Sequence, residues 1–258
     1  MAGRKKKKKK GILRTVFFTL IALIAVAAGT YYITDYYYRP AFIRYREFGV
    51  SLPGNYSIHG IDVSRYQASV GWQQVADMKV KDVKIGFAFI KATESVDAMD
   101  PYFRRNWAGA AAAGIPRGAY HFFTASRSGK AQAGNFLEMV KLKKGDLRPV
   151  LDIEQTNGTP KQVLQQRVAD WLEAVEKVYR VKPIIYTNAD FYNNFLLGRF
   201  DNYPLWVAHY FVKDKPRITR EWHFWQHNEK GRVDGITSFV DFNVFKGDST
   251  EFRDLLIP

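Results

Sequence analysis

Alternating strand and helix patterns constrain the fold of this 258-residue chain more than any other feature. From His59 onward, short apolar runs rich in β-branched and aromatic residues recur, and helical patterns separate the first five. Strands that alternate with helices pair in parallel, because each helix carries the chain back across the sheet. The predicted strands are Ile58–Val63, Ile85–Lys91, Gly118–Phe123, Pro149–Glu154, Pro183–Thr187, Leu205–His209 and Trp222–Gln226.

Two helical patterns support the same α/β class. Between Pro160 and Arg180, apolar residues recur at steps of three and four and form one face. Between Asp100 and Ala113, Pro101 occupies a first-turn position and Gly114 follows the end. We predict a modified (β/α) TIM-like barrel of seven or eight strands, closed or partly closed, whose last strands have short connections. An open doubly wound sheet is the alternative.

A basic and then apolar segment precedes this domain. Residues 15–34 contain no charged side chain, and twenty residues span about 30 Å of hydrocarbon as a helix. Eight positive charges lie within residues 1–14, before the first acidic residue, Asp35, and supply most of the net charge of +14. Since positive flanks stay inside, we predict a basic cytoplasmic tail over 1–14 and a single N-terminal transmembrane helix over 15–34. The following domain would be periplasmic or extracellular, tethered to the cytoplasmic membrane.

Other interpretations of this segment exist. Ala25, Val26 and Ala27 form a small-x-small site, so the segment could be a cleaved secretory signal. Against cleavage, the apolar run continues to Ile33 and ends in a tyrosine cluster suited to the membrane interface, formed by Tyr31, Tyr32, Tyr36, Tyr37 and Tyr38. The lysine run needs no nucleic acid to explain it. Residues 35–58 show no clear period and are predicted to form a stalk.

Four carboxylates lie at the ends of predicted strands. Asp62 ends the first strand, Asp152 and Glu154 end the fourth, and Asp241 lies in a late apolar run. In β/α barrels the active residues lie at the C-terminal ends of strands. We therefore expect these four candidate catalytic residues to share one end of the barrel.

The Asp152-Ile153-Glu154 triplet indicates acid–base chemistry. Strand side chains alternate, so these two acids point the same way, separated by about 6 to 7 Å along the strand. Burying two like charges together raises at least one pKa, and a protonated acid is what a glycosidic leaving oxygen needs. Glu154, with the longer reach, is the candidate acid/base, and Asp152 would stay ionised facing the sugar. Alternatively, the triplet caps a helix or pairs with an arginine.

Aromatic and amide side chains at the same strand ends predict a carbohydrate groove. Sugars present flat apolar faces, which aromatic rings match while offering polar handles to hydroxyls. Each ring singly could instead belong to the core. The candidate substrate-binding residues are Tyr66, Tyr120, His121, Tyr186, Trp206, Tyr210 and Gln226.

Other chemistries find little support. The chain has no cysteine, hence no thiolate nucleophile, and no glycine-rich phosphate motif. The clustered acids could hold Mg²⁺ or Ca²⁺, and histidines could add nitrogen ligands, but no His-Glu-x-x-His spacing occurs. We expect no metal, no cofactor and a monomer.

The motifs taken together resemble glycoside hydrolase family 25, the lysozymes of fungi, phages and bacteria, from about His59 to the C-terminus. The motifs that carry the resemblance are Gly60–Gln67, Phe89–Glu94, Gly118–Phe122, Leu151–Glu154, Ile185–Asn188, Leu205–Ala208, Trp225–Gln226 and Val240–Asn243.

The resemblance implies a catalytic domain over 59–258 that hydrolyses the β-1,4 bond from N-acetylmuramic acid to N-acetylglucosamine in the peptidoglycan strand. It places the proton donor on Glu154, its partner carboxylate on Asp152 and two flanking acids on Asp62 and Asp241. It also implies a substrate-assisted retaining mechanism, in which the acetamido oxygen of the sugar attacks the anomeric carbon. Two alternatives are a chitinase-like endo-N-acetylglucosaminidase and an inactive wall-binding scaffold tethered to the membrane.

Overall fold

The computed structural model describes residues 3–38, 41–212 and 214–258. The chain divides into two compact units, Met1–Ala41 and Phe42–Pro258. The first is a single helix, α1 (Gly3–Tyr38). Its segment Arg14–Ile33 has a mean hydropathy of 2.1 and is long and apolar enough to cross a membrane. A signal sequence can have the same length and composition. The side chains of the predicted tail up to residue 13, and those of Tyr36, Tyr37 and Tyr38, lie outside the described residues.

The second unit combines twelve strands with six further α-helices among the described residues. Its strands are β1 (Phe42–Tyr45), β2 (Val50–Pro53), β3 (Ile58–Val63), β4 (Lys79–Val80), β5 (Val83–Glu94), β6 (Ala98–Met99), β7 (Arg117–Phe122), β8 (Val150–Asp152), β9 (Ile184–Asn188), β10 (Leu205–Ala208), β11 (Phe224–Gly231) and β12 (Val240–Phe245). Its helices are α2 (Trp72–Asp77), α3 (Phe103–Ala112), α4 (Gly129–Met139), α5 (Lys161–Tyr179), α6 (Ala189–Phe191) and α7 (Ser249–Arg253), with a 3₁₀ turn at Arg65–Gln67 and a π turn at Tyr192–Leu196.

Eight of these strands close into a barrel, which confirms the predicted fold and excludes the open sheet. They follow the order β3-β12-β11-β10-β9-β8-β7-β5, and β5 pairs again with β3. Seven strands run parallel to one another, but β12 is antiparallel to both of its neighbours. No helix intervenes between β11 and β12, so the chain turns back directly and reverses direction.

Aromatic rings fill the interior of the barrel. Phe87 and Phe89 of β5 lie 5.6 Å apart between ring centroids and pack on Phe224. Two glycines make room for them: a Cβ at Gly60 would lie 2.5 Å from the Phe87 ring, and one at Gly118 2.6 Å from the Phe89 ring. The interior of the barrel is therefore a packed core and not a pore.

The N-terminal hairpin corrects the predicted stalk over residues 35–58. Strands β1 and β2 pair antiparallel, and the connecting turn places Phe48, which is 0% exposed, against Phe242 of the barrel at 5.3 Å between ring centroids. Leu52 is also buried. Residues 42–58 thus belong to the folded unit, because alternate apolar side chains of a short hairpin cover the outside of β11 and β12. Residues 39 and 40 of the predicted stalk lie outside the described residues.

Replacing Phe48 by alanine tests whether the hairpin is part of the core. Phe48→Ala removes a fully buried ring and should lower the free energy of unfolding by about 3 to 5 kcal/mol. Urea denaturation followed by tryptophan fluorescence measures the change. Arg46→Ala, at an exposed position of the same turn, is the matched control and should change stability by less than about 0.5 kcal/mol. Equal free energies of unfolding for the two variants would instead support the prediction that this segment is a stalk outside the core.

Candidate active site

The four predicted acids meet at one end of the barrel. Asp62 and Asp152 lie at the C-terminal ends of β3 and β8, and Glu154 follows two residues after Asp152. Asp241 reaches the same end by another route: it is the second residue of the antiparallel β12 and pairs directly with Asp62. The expectation that all four carboxyls share one end of the barrel therefore agrees with the structure, although Asp241 lies at the start of its strand.

Asp152 and Glu154 form a coupled pair. Asp152 is buried, and its pKa is raised well above the ordinary range by burial and by the charge of Glu154. Burial also raises the pKa of Glu154, while a hydrogen bond from Asp152 opposes the rise. Burial therefore favours the protonated form of both carboxyls, and it raises the pKa of Asp152, the more deeply buried member, further. The expectation that Asp152 is ionised while it faces the sugar stays a prediction.

One carboxyl oxygen of Asp152 is an unpaired hydrogen-bond acceptor among the described residues. Oδ1 is buried and has no hydrogen-bond partner among the residues described. A buried acceptor without a donor costs free energy, about 1 to 3 kcal/mol. A ligand N–H that donated a hydrogen bond to Oδ1 would remove this cost, and binding would be favoured by a similar free energy.

Two side-chain amides hold Asp62 from the other side. Gln226 Nε2 and Asn243 Nδ2 donate to Asp62 Oδ2 at 2.8 and 2.7 Å. Burial nevertheless outweighs these bonds and raises the pKa of Asp62 to about 6. Asp62 therefore remains ionised at neutral pH but takes up a proton in mildly acidic conditions.

Three aromatic side chains fix the orientation of those amides. Tyr186 donates its hydroxyl to Gln226 Oε1 at 2.8 Å, Tyr210 donates to the same oxygen, and Trp206 Nε1 donates to Asn243 Oδ1 at 2.8 Å. Because both amide oxygens are thus occupied, both NH₂ groups must face Asp62. Of the predicted substrate-binding residues, Tyr186, Trp206, Tyr210 and Gln226 belong to this network.

Asp241 differs from Asp62 in its protonation state. Its pKa is raised to about 9, first by burial and then by the charges of Asp62 and Glu229. At neutral pH Asp241 is accordingly neutral and able to donate a hydrogen bond. Two paired carboxyls, one charged and one neutral, thus flank the Asp152 and Glu154 pair.

Lys91 is a functional candidate that the sequence analysis missed. It is 9% exposed, pairs with Glu94 at 2.7 Å between Nζ and Oε2, and lies 4.7 Å from the ring centroid of Phe122. Its charge lowers the pKa of both Asp152 and Glu154. The sequence pattern could have identified Lys91, because it follows Phe87 and Phe89 at alternate positions of β5, whose side chains face the barrel interior.

The remaining predicted binding residues occupy different places. Tyr120 is buried among the carboxyls, and the charge of Asp62 adds to burial in raising its pKa. Trp206 stacks on Phe89 at 4.3 Å between ring centroids and supports the site from below. Tyr66 lies on the 3₁₀ turn after β3 and is 73% exposed.

His121 is the predicted binding residue that the structure places elsewhere. It points outward from β7, stacks on Trp171 of α5 and lies 2.8 Å from Thr93 Oγ1 and 3.2 Å from Gln132 Oε1. Burial lowers its pKa to about 3, so the ring is neutral. Its neighbour Tyr120 faces the interior, and strand alternation turns His121 to the helices, so the prediction for His121 was wrong.

Carboxyls with raised pKa values at the mouth of a barrel, next to aromatic side chains, are typical of a glycoside hydrolase. Within the described part of the chain, no group of three or more histidine, aspartate or glutamate side chains is arranged to hold a metal ion. The carboxyls can supply proton transfer and electrostatic stabilisation.

Comparison with known proteins establishes the family. The sequence profile of glycosyl hydrolases family 25 matches residues 61–236, and the chain belongs to this family. It is 46% identical to protein YegX of Escherichia coli (strain K12) over 224 residues, 87% of this chain and 81% of YegX. It is 35% identical to Lysozyme M1 of Streptomyces globisporus over 213 residues, 77% of this chain and 71% of that enzyme. A family 25 glycosyl hydrolase structure from Bacillus anthracis superposes with a TM-score of 0.70 at 31% identity, covering 77% of this chain and 93% of the other.

Removal of the Lys91 charge should shift the pH dependence of catalysis. Without this cation the pKa values of Asp152 and Glu154 rise further, so the pair keeps its proton to higher pH. In Lys91→Met, the alkaline limb of kcat/KM against pH should therefore move to higher pH. The matched control is Lys84→Met, at the far exposed end of the same strand, whose profile should equal that of the wild type. A shift to lower pH would contradict this account.

Proposed function

We propose that the protein hydrolyses the β-1,4 bond between N-acetylmuramic acid and N-acetylglucosamine in peptidoglycan, with Glu154 as proton donor. The observation that carries the proposal is the placement of Asp152 and Glu154 at the end of β8, where burial raises the pKa of both carboxyls and favours a proton shared between them. Membership of family 25 and the similarity to Lysozyme M1 support the substrate.

The substrate itself would move the shared proton to Glu154. The unpartnered Asp152 Oδ1 is an acceptor suited to the N–H of a sugar acetamido group. That hydrogen bond favours the ionised form of Asp152, so the proton passes across the existing Asp152–Glu154 contact to Glu154. Glu154 is therefore protonated when the substrate is bound.

Bond cleavage then follows a substrate-assisted course. Glu154 gives its proton to the glycosidic oxygen as the C1–O bond breaks, and the acetamido carbonyl oxygen forms a new bond to C1. Ionised Asp152 stabilises the positive charge that develops on the acetamido nitrogen. Water then attacks C1 as the bond between C1 and the acetamido oxygen breaks, Glu154 takes the proton that the water loses, and the configuration at C1 is retained after two inversions.

The flanking acids have complementary tasks in this scheme. Asp62, ionised and fixed by two amides, stabilises positive charge at the anomeric centre, and neutral Asp241 donates a hydrogen bond to the sugar. Tyr66 and Tyr120 would contribute ring faces to the groove. Tyr186, Tyr210 and Gln226 would position Asp62 and also contact sugar hydroxyls, with Trp206 supporting them from below.

The N-terminal segment would supply localisation. Arg14–Ile33 is apolar enough to anchor the protein in the cytoplasmic membrane, and the basic residues before it favour a cytoplasmic N-terminus. The catalytic unit would then act outside the cytoplasm as a monomer on the adjacent wall.

The Glu154→Gln variant tests the proposed proton donor. It keeps the shape of the side chain but removes the transferable proton, so hydrolysis should fall at least about 100-fold. The full chain in detergent is incubated with peptidoglycan, and new reducing ends are identified by mass spectrometry after borohydride reduction. Glu173→Gln, an exposed position on α5, is the matched control and should keep wild-type activity.

The identity of the ends separates the candidate functions. Reduced muramic acid ends from the wild type alone support the proposal. Reduced glucosamine ends would indicate an endo-N-acetylglucosaminidase, and no new ends would favour a wall-binding scaffold. Undiminished hydrolysis by Glu154→Gln would remove that residue from the mechanism. Asp152→Asn should also lose most activity, since it cannot become the anionic partner of the acetamido group.

The anchor proposal has its own measurement. If the apolar segment is retained, the protein purified from membranes should have an intact mass that includes residues 15–34, and alkaline carbonate should not release it. A mature protein that begins at residue 28 in the soluble fraction would show instead that the segment is a cleaved signal.

A further inference from the structure

A cavity lies between the N-terminal hairpin and the catalytic end of the barrel. Its volume is about 510 Å³, and the hairpin supplies Phe42, Arg44 and Ser51 to its wall. The other walls come from the loop 210–212 and the end of β11, residues 227–230. We refer to it as the hairpin cavity.

Two residues that line the hairpin cavity also interact with the residues of the catalytic site. Tyr210 lines it, and the hydroxyl of the same residue bonds to Gln226, the partner of Asp62. Glu229 also lines it, and the charge of Glu229 acts on Asp241. The hairpin cavity is therefore adjacent to the carboxyl cluster.

The lining combines two cations with an apolar rim. Arg44 and Lys230 are exposed, and Glu229 is the one acid among the lining residues. Phe211 is 98% exposed and has a φ of 57°, in the left-handed region that bulky residues avoid. An apolar ring held outward in a strained backbone is typical of a ligand contact.

The floor of the hairpin cavity includes His227. This residue is 4% exposed, and neither ring nitrogen has a hydrogen-bond partner among the residues described. Burial lowers its pKa to about 3, so the ring adds no charge at neutral pH. The cationic character of the cavity therefore comes from Arg44 and Lys230 alone.

We propose that the hairpin cavity binds the acidic peptide stem carried by the muramic acid residues, which makes the enzyme selective for peptide-bearing glycan strands. This inference rests on the proposed function. The stem is joined to the sugar through a lactyl ether, carries carboxylates, and contains short alkyl side chains. Arg44 and Lys230 can pair with the carboxylates, and Phe42, Phe211 and Val212 can cover the alkyl parts.

A peptide fits this lining better than further sugar does. A neutral sugar can accept only ordinary hydrogen bonds from the two cations, whereas an acidic peptide also gains the stronger charge-assisted bonds to its carboxylates. The hairpin also precedes residues 61–236, the part that matches the family profile. Arg44 and Ser51 are therefore additions to the family's matched core, at a place where they change selectivity without touching the reacting bond.

Reversal of the Arg44 charge tests the inference. The full chain in detergent is assayed on peptide-bearing strands and on the same strands stripped of peptide by an amidase. For Arg44→Glu, kcat/KM on peptide-bearing strands should fall about tenfold, with little change on stripped strands. The loss should shrink as salt is added, because exposed charges are screened. The matched control is Arg46→Glu, on the same hairpin but outside the cavity, which should behave as the wild type.

A binding measurement separates this inference from the proposed function. In the Glu154→Gln background, affinity for peptide-bearing strands should exceed that for stripped strands, and Arg44→Glu should abolish the difference. An equal loss on both substrates would make the cavity a sugar subsite, and no loss on either would leave it without a role in binding. Both results overturn the peptide assignment while the wild type still cleaves stripped strands. If the wild type cleaves neither substrate, the proposed function fails and this inference fails with it.

Discussion

The burial of like-charged groups in one small volume is the constraint around which this structure is organised. Four carboxyls lie together at one end of the barrel, and burial raises the pKa of each of them. Such a cluster persists only if protons and hydrogen-bond donors neutralise it. Gln226 and Asn243 serve Asp62, Lys91 acts on the Asp152 and Glu154 pair, and Asp241 stays protonated.

The support for this cluster extends deep into the barrel. Trp206 holds the amide of Asn243 and at the same time stacks on Phe89, which packs against Gly118. A change in ring packing in the barrel interior would therefore reach Asp62 through one indole and one amide. The rigid aromatic interior fixes the positions of the acids, as an electrostatic site needs before the substrate arrives.

Local patterns predicted the barrel and its catalytic end because strand alternation and strand ends are properties of short segments. The four acids and most of the aromatic residues were found in this way. The errors concern features that depend on distant contacts. The hairpin looked irregular because Phe48 is buried by Phe242, almost 200 residues later. The direction of β12 is reversed because no helix connects it to β11. His121 was wrongly predicted to bind substrate because it was grouped with Tyr120, although adjacent residues of β7 face opposite sides of the strand.

The reversed last strand has a further consequence for the architecture of the chain. In the register of β3 with β12, the first residue of β3, Ile58, pairs with the last of β12, Phe245. The barrel is thus entered and left on adjacent strands, at the end opposite the acids. A loop joining these two points would be short, which makes the barrel a good candidate for circular permutation. A module fused after β12 would start on the side of the barrel away from its mouth, whereas the segment before β3 already folds back toward the mouth as the hairpin.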